Sequence, residues 1–390
     1  MNRYFFACII FLLSLQALKI VGQDTSRCPS GYRLMQVQDY LAAAEAFSGY
    51  LHVDTTDYYM INSLSFCYLQ AGDYANAKYY YHRLENADTF RTEALMRLAS
   101  IYEASQDLPK AIKYNLALQK QFPGNPAYLR KLGTLYLQGR ENSQAIQSYK
   151  AALSLNPRDV IAIQGLTEIM ISTDSLDQAD SLLAKGIEVD SMHLGLNLIR
   201  SRVHYRKREY RQTADLLYSL SFRTELNNYY NKMLGYAFMQ IDSLDKAIFH
   251  LQKSLLHESD PEYALFYLAL AKEKKKELER SDWYYAEAAK AGISQNIGQY
   301  FRGRARISMQ LNKNRDAIDY YTKSLHYEED PSVYFYMANA ADLHYTDKTK
   351  ALEYYRKYLN SGHKDQELVR IAKSRIAAIR ELRFMKTKQD

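Results

Sequence analysis

The sequence predicts an all-α protein built from a repeated pair of helices, and three observations support that fold class. An alanine recurs about every 34 residues along most of the chain. Apolar residues around it are spaced three and four apart, which is the spacing of one helix face. Gly (15) and Pro (7) are scarce among 390 residues, so little of the sequence favours hairpins or disordered linkers.

Residues 1–22 are expected to be a secretory signal peptide. Arg3 precedes an apolar run at residues 5–15, and Gln16 and Lys19 interrupt that run well short of the roughly 20 residues that cross a bilayer. An uncleaved membrane anchor is the alternative. With the signal removed, we expect an exported chain without an integral membrane segment, in the periplasm or at the surface of a bacterial envelope.

The charge balance and the cysteines set further limits. The chain carries 51 Lys and Arg against 44 Asp and Glu, a mild excess that argues against a dedicated nucleic-acid binder. Cys28 and Cys67 lie outside the predicted signal. They are able to pair in an oxidising compartment, and Cys67 also suits a buried position as a small core residue.

The repeated position is Ala in nine of ten cases, and the intervals run from 33 to 36 residues: Ala43, Ala77, Ala111, Ala145, Ala179, Ala214, Ala247, Ser281, Ala317 and Ala351. Four residues later each repeat carries a second characteristic residue, most often Tyr: Phe47, Tyr81, Asn115, Tyr149, Leu183, Tyr218, Leu251, Tyr285, Tyr321 and Tyr355. A small residue lets two helices cross closely, and an aromatic one turn further fills the wedge toward the next repeat.

The fourth repeat, residues 126–159, shows the full pattern: Gly133, Tyr136, Ala145, Tyr149, Ala152 and Pro157. This pattern resembles the tetratricopeptide repeat (TPR) family. The resemblance covers residues 24–363 and implies a right-handed α-α superhelical solenoid of about ten helix-turn-helix units with a concave groove. The units start near residues 24, 58, 92, 126, 160, 195, 228, 262, 298 and 332. Later units depart from the pattern, since they carry Lys272, Ser308 and Asp342 where earlier units have Tyr.

Residues 364–390 are expected to form a capping helix and a basic tail, because a stack of repeats needs a polar outer face at its end. One side of this helix is predicted to pack inward and the other to face water. The inward residues are Leu368, Ile371, Ile379 and Leu382, and the water-facing ones are Arg370, Lys373 and Arg380.

No catalytic motif of the familiar kinds occurs, so we expect neither an enzyme nor a bound cofactor or metal. Two basic runs stand out, at residues 200–211 and 271–280. Each falls at the end of a predicted first helix, where positive charge complements the helix dipole. A patch for an acidic partner is the alternative.

The excess of tyrosine, 36 residues against 14 Phe, bears more directly on function. A second column, three residues after the repeated alanine, holds five of them: Tyr80, Tyr114, Tyr284, Tyr320 and Tyr354. Other tyrosines and polar residues fall on first helices, where the resemblance implies the lining of the groove. These candidate binding residues are Tyr59, Asn62, Arg130, Thr134, Tyr229, Lys232, Tyr236, Tyr263, Arg302, Arg306 and Tyr336.

The sequence therefore predicts a non-catalytic scaffold that binds a protein or peptide segment in its groove, in assembly or secretion machinery. Tyrosine supplies contact area and a hydroxyl at low entropic cost, and Arg or Lys is able to hold a carboxylate. A glycan or cell-wall binding module is the alternative, and packing between repeats is the other interpretation of the tyrosines. The family's clamp for a carboxy-terminal peptide is not carried over, because its positions hold Asn62, Met96 and Gln164.

Overall fold

The computed structural model describes residues 26–52, 56–256, 261–292, 295–362 and 365–386. Within these ranges the chain forms 21 α-helices and no strand. In chain order they are α1 Pro29–Gln36, α2 Tyr40–Leu51, α3 Tyr58–Gln70, α4 Tyr74–Leu84, α5 Arg91–Ala104, α6 Leu108–Gln121, α7 Pro126–Gln138, α8 Asn142–Leu155, α9 Val160–Ser172, α10 Leu176–Val189, α11 Leu194–Arg206, α12 Tyr210–Ser221, α13 Asn228–Gln240, α14 Leu244–Ser254, α15 Glu262–Lys274, α16 Leu278–Ala291, α17 Ile297–Gln310, α18 Asn314–Leu325, α19 Ser332–His344, α20 Thr349–Asn360 and α21 Gln366–Lys386. The predicted signal peptide lies outside the described residues.

The prediction of an all-α repeat fold of the solenoid class is confirmed. Odd-numbered helices up to α19 are the first helices of ten successive pairs, and even-numbered helices are the second; α21 follows the last pair. The opening helix, α1, is short, with eight residues. The chain divides into two compact blocks, Met1–Leu196 and Asn197–Asp390.

The repeated small residue is fully buried in all ten pairs, with none of its surface exposed. A larger side chain at this position would push the paired helices apart. The serine at position 281 keeps the same role, because its hydroxyl donates to the carbonyl oxygen of Ala269 at 2.8 Å and so leaves no unpaired donor.

The aromatic residue four positions later fills the space between one repeat and the next. The Tyr149 ring lies against Gly133 of its own pair and against Gly165 of the following first helix. A Cβ atom on Gly133 would approach Tyr149 Cδ1 to 2.7 Å, and one on Gly303 would approach Tyr285 to 2.5 Å. The glycines therefore make room for the rings, as the predicted wedge requires.

The turn inside each of the first nine pairs contains one residue in the left-handed conformation. These residues recur at the repeat interval, and only one of them is a glycine: Gln38, Gly72, Gln106, Arg140, Asp174, Arg208, Asp242, Lys276 and Asn312. The turn is closed by backbone hydrogen bonds, as when Glu141 N donates to Tyr136 O at 2.8 Å. This is the bond pattern that ends helices with a left-handed residue.

The last helix, α21, packs through Ala372, Ile376 and Ile379, all of which are buried. The predicted inward position of Leu382 is wrong, because that side chain is exposed. It lies beyond the last buried residue of α21, where the hydrophobic cluster that holds Tyr355 and Tyr358 no longer covers the helix. Cys28 and Cys67 are both buried as free thiols, and burial raises the pKa of Cys67 to about 12.

Candidate functional site

The predicted binding residues all lie on first helices, and we call the surface that they mark the first-helix face. Tyr59 and Asn62 are on α3, Arg130 and Thr134 on α7, Tyr229, Lys232 and Tyr236 on α13, Tyr263 on α15, Arg302 and Arg306 on α17, and Tyr336 on α19. The first four belong to the amino-terminal block and the other seven to the carboxy-terminal block. Each block is therefore described by itself.

In the amino-terminal block, the polar groups of α7 hold the repeats together. Arg130 Nη1 donates to Asp159 Oδ2 at 3.0 Å, and Asp159 caps α9, the next first helix. Tyr149 donates its hydroxyl hydrogen to Thr134 Oγ1 at 3.2 Å, and Thr134 donates in turn to Arg130 O. Arg130 and Thr134 therefore make contacts that stabilise the packing of the helices in this block.

Asn62 and Tyr59 differ in how far solvent reaches them. Asn62 is buried; its Nδ2 donates to Glu93 Oε2 at 3.3 Å, while its Oδ1 is buried without a hydrogen-bond partner. Tyr59 is exposed and packs edge-on against Phe90, with ring centroids 5.0 Å apart. Both aromatic rings line an open cleft of about 510 Å³, together with the Arg27–Asp57 ion pair.

In the carboxy-terminal block, the two arginines of α17 are paired with carboxylates of neighbouring repeats. Arg306 donates two hydrogen bonds to the carboxylate of Glu273 on α15, from Nε to Oε1 at 2.5 Å and from Nη2 to Oε2 at 2.7 Å. Burial acts to raise the pKa of Glu273, but the Arg306 guanidinium outweighs it and lowers that pKa. Arg302 Nη2 bonds Glu328 Oε2 at 2.7 Å, before α19.

The tyrosines of this block form a connected group, which we call the tyrosine cluster: Tyr205, Tyr210, Tyr236, Tyr263 and Tyr267. The Tyr236 ring lies 5.7 Å from Tyr205 and from Tyr210, and 4.6 Å from Tyr267, whose ring lies 6.4 Å from Tyr263. Burial raises the pKa of Tyr236, and it raises that of Tyr267 to about 12. These two phenols are therefore neutral hydrogen-bonding groups at neutral pH.

The remaining candidates lie around this cluster or away from it. Tyr229 is exposed on α13 and contacts the ring of its neighbour Tyr230 at 5.1 Å. Lys232, on the same helix, is half-buried. Tyr336 is exposed on α19 and stacks on Tyr321 with ring centroids 6.0 Å apart. The structure thus brings Tyr236 and Tyr263 into one group and commits Arg302 and Arg306 to carboxylates of the chain.

Three members of the tyrosine cluster are not among the binding residues predicted from the sequence: Tyr205, Tyr210 and Tyr267. Tyr205 lies nine residues before the repeated Ala214, in a column that also holds Tyr68 and Tyr102. That column does pack elsewhere, since Tyr68 stacks on Tyr80 at 5.7 Å and Tyr102 on Tyr114 at 5.5 Å. The spacing of tyrosines on α15 could have pointed to Tyr267, because Tyr263 and Tyr267 are one helical turn apart and lie on the same face.

Among the described residues, no group of three or more His, Cys, Asp or Glu side chains is arranged to hold a metal ion. None of the helices formed by those residues has the length and apolarity to cross a membrane.

A family model matches part of the repeat region, and the chain is similar to several solved structures. The tetratricopeptide repeat family model matches residues 67–126. A tetratricopeptide repeat protein from Parabacteroides merdae is 16% identical; the match covers 65% of this chain and 98% of that one, with a TM-score of 0.46. YrrB, described as a TPR protein with an unusual peptide-binding site, is 16% identical over 48% of this chain and 96% of its own, with a TM-score of 0.44. PilF of Pseudomonas aeruginosa is 19% identical over 52% of this chain and 90% of its own, with a TM-score of 0.42. No curated protein matches the chain.

The family match and the geometry together identify the class. Residues 67–126 run from the end of α3 to the start of α7, and the buried alanine and the wedge residue seen there recur in pairs along the rest of the described chain. The chain therefore carries tetratricopeptide repeats at residues 67–126, and the other described helix pairs share their packing. Proteins of this class bind protein or peptide partners and generally act as non-catalytic scaffolds.

Proposed function

We propose that this protein is a non-catalytic scaffold of the bacterial cell envelope that binds a segment of a partner protein on its first-helix face. Its role would be in assembly or secretion machinery, in the periplasm or at the cell surface. The apolar run at residues 5–15 supports export. The TPR architecture supports partner binding.

The observation that carries the proposal is the tyrosine cluster with exposed Tyr229 beside it. Tyr229 and Tyr263 are both exposed, and they occupy the same position in successive repeats, 34 residues apart. Tyrosine is rigid, so its contact area becomes buried at a small cost in side-chain entropy. Two such rings on adjacent first helices suit an extended segment that crosses from one repeat to the next.

The ion pairs favour the tyrosines over the arginines as the binding part of the first-helix face. Arg130, Arg302 and Arg306 are each bonded to a carboxylate of this chain. A partner carboxylate would have to displace an existing ion pair and would gain little by doing so. The partner's affinity should therefore depend on the tyrosines rather than on charge, so that raising the salt concentration weakens binding only slightly.

Capture of partners from a bacterial envelope fraction tests the proposal. The Tyr229→Ala/Tyr263→Ala variant should lose a defined protein that the unchanged chain retains, because it removes two ring contacts worth roughly 1.5–3 kcal/mol each. Tyr79→Ala is the control, since Tyr79 is also an exposed tyrosine but lies on the second helix α4. Equal capture by all three chains would refute the assignment to this face.

The same exposed rings also support the alternative, a glycan or cell-wall binding module, because sugar rings stack on tyrosine. Sedimentation with isolated cell wall separates the two. Binding to cell wall that Tyr229→Ala/Tyr263→Ala abolishes would favour the glycan and replace the protein partner. The export proposal is tested separately, by sequencing the amino terminus of the chain recovered from the envelope, where a start near residue 23 is expected.

A further inference from the structure

A second surface of the carboxy-terminal block departs from the repeat pattern. The residue two positions after the repeated alanine points away from the helix pair and is exposed in nine of ten repeats. In most repeats it is polar: Glu45, Lys113, Gln147, Ser181, Asp319 and Glu353. Three consecutive repeats instead carry Leu216, Phe249 and Trp283. The remaining repeat carries Tyr79. Leu216 is half-buried and packs against the core, but packing within the fold does not explain the exposed Phe249 and Trp283.

Two of these side chains, and a third aromatic close by, are largely exposed. Phe249 is 59% exposed, Trp283 55% and Phe222, just after α12, 73%. Isolated exposed hydrophobic residues are ordinary, but Phe249 and Trp283 hold the same repeat position on successive second helices. We call Phe222, Phe249 and Trp283 the aromatic strip.

Side-chain contacts beneath the strip link the three segments that carry it. Phe222 packs on Tyr218 at 4.8 Å, and Tyr218 lies 6.1 Å from His250, next to Phe249. One turn beyond Phe249, Gln252 Nε2 donates to the hydroxyl of Tyr284, the neighbour of Trp283, at 3.4 Å. Side-chain contacts therefore link Phe222, just after α12, to α14, and α14 to α16, the helices that carry Phe249 and Trp283.

The charges that flank Phe249 on its own helix, α14, are mainly positive. Lys246 Nζ lies 4.4 Å from the centroid of the Tyr218 ring, and Lys253 follows Phe249 by one turn on α14. The nearby carboxylates of Asp245 and Glu287 are bonded to Lys275 at 2.5 Å and Lys290 at 2.7 Å. These two carboxylates are thus already compensated, whereas Lys246 lies over aromatic rings. Asp215 on α12 and Glu279 on α16 are exposed acidic residues near the strip.

We propose that the aromatic strip docks the protein onto an anionic lipid bilayer. Tryptophan and phenylalanine favour the boundary between lipid headgroups and acyl chains, and lysines beside them are attracted to anionic headgroups. The chain's overall excess of basic over acidic residues acts in the same direction. The strip lies on second helices, so this docking leaves the first-helix face available and does not depend on the partner proposed for it.

The chain has one tryptophan, and it lies in the strip, so its fluorescence reports on this surface alone. The probe is vesicles of phosphatidylcholine containing phosphatidylglycerol, compared with vesicles of phosphatidylcholine only. With anionic vesicles, Trp283 emission should shift to shorter wavelength, and lipids brominated on their acyl chains should quench it. Quenching reports contact by Trp283 itself, so binding by the apolar amino terminus cannot imitate it.

Two variants that keep Trp283 test the rest of the strip. Phe222→Ser/Phe249→Ser should lower partitioning by at least about tenfold, and Lys246→Gln/Lys253→Gln should abolish the preference for anionic vesicles. Tyr79→Ser is the control. Tyr79 holds the same repeat position, but the repeats on either side carry Glu45 and Lys113 there, so this variant should bind like the unchanged chain. Unchanged Trp283 emission with vesicles would overturn the proposal. A blue shift that grows with protein concentration in the absence of lipid would also overturn it, in favour of a second copy of the chain.

Discussion

Gly165 lies directly against the phenol ring of Tyr149, although the two residues belong to successive repeats. The ring also touches Gly133 of its own pair, so one aromatic side chain occupies the space between three helices: α7, α8 and α9. This contact couples one repeat to the next, because neither pair is able to bury the ring alone.

Gly165→Ala should therefore destabilise the protein. A Cβ atom there would overlap Tyr149 Cζ, so the ring or the helix has to move, at a cost of about 1–3 kcal/mol. Urea unfolding followed by circular dichroism measures the change. Gly49→Ala is the control, because no atom lies within 4 Å of a Cβ at that position of α2. It should stabilise the helix by roughly 0.5–1 kcal/mol, and a similar loss in both variants would contradict this account.

The hydroxyl groups of the wedge tyrosines are not equivalent. Tyr81 OH is buried without a hydrogen-bond partner, whereas Tyr149 OH donates to Thr134. Tyr81→Phe should leave stability unchanged or raise it by up to about 1 kcal/mol, and Tyr149→Phe should lower it by about 1 kcal/mol. Chemical denaturation of the two variants side by side decides the point. An equal loss in both would show that Tyr81 also has a partner.

The wedge tyrosines show which structural features the sequence predicts and which it does not. The spacing of Ala145, Tyr149 and Pro157 predicts the helix pair, and α8 does end at Leu155, just before Pro157. The spacing does not tell which tyrosine hydroxyl is satisfied, because the partner is a different residue in each repeat. Tyr149 bonds Thr134, whereas Tyr285 bonds Glu273.

The left-handed turn residues were not predictable for a related reason. Glycine marks such a position in a sequence, but in this column it appears only at Gly72. Arg140 and Lys276 are forced into the conformation by the helices on either side, and nothing in their own chemistry indicates it.

Arg140→Gly should accordingly stabilise the protein. Arg140 has φ 60°, and a left-handed conformation costs a residue with a Cβ about 1–2 kcal/mol that glycine avoids. The greater freedom of glycine in the unfolded chain offsets part of this, so the net gain should be about 0.5–1 kcal/mol. Asn312→Gly is the comparison, since asparagine tolerates φ 59° better and its gain should be smaller. Thermal unfolding ranks the two, and a loss of stability in Arg140→Gly would contradict the argument.

The sequence predicts which helices carry the candidate site residues, but not the contacts that those residues make. Period and resemblance place Tyr236 and Arg306 on first helices, and the structure has both there. They do not reveal that Arg306 is bonded to Glu273, because the two residues are 33 positions apart and meet only across repeats. Long-range pairs of this kind depend on how successive helices pack, which a single-repeat pattern does not encode. The sequence therefore marks the surface, and the structure separates its structural ion pairs from its exposed tyrosines.

His250 makes the stability of the carboxy-terminal block depend on pH. Burial, with smaller contributions from Lys253 and Lys246, lowers the pKa of His250 from 6.5 to about 4. In the folded chain the ring is neutral and bonded to Asn231 Oδ1 at 3.0 Å, whereas the unfolded chain takes up a proton already near pH 6.5. The unfolded state therefore binds more protons between pH 6.5 and pH 4, so stability should fall as the pH falls through that window and stay constant above it.

The size of this effect follows from the difference between the two pKa values and amounts to roughly 3 kcal/mol when the window has been crossed. Urea unfolding at a series of pH values measures it, because the midpoint should fall from pH 7 toward pH 4. His250→Gln does not titrate and can still donate a hydrogen bond to Asn231, so the slope between pH 6.5 and pH 4 should be much flatter in that variant. If the unchanged chain and His250→Gln lose stability in parallel, other groups must cause the pH dependence.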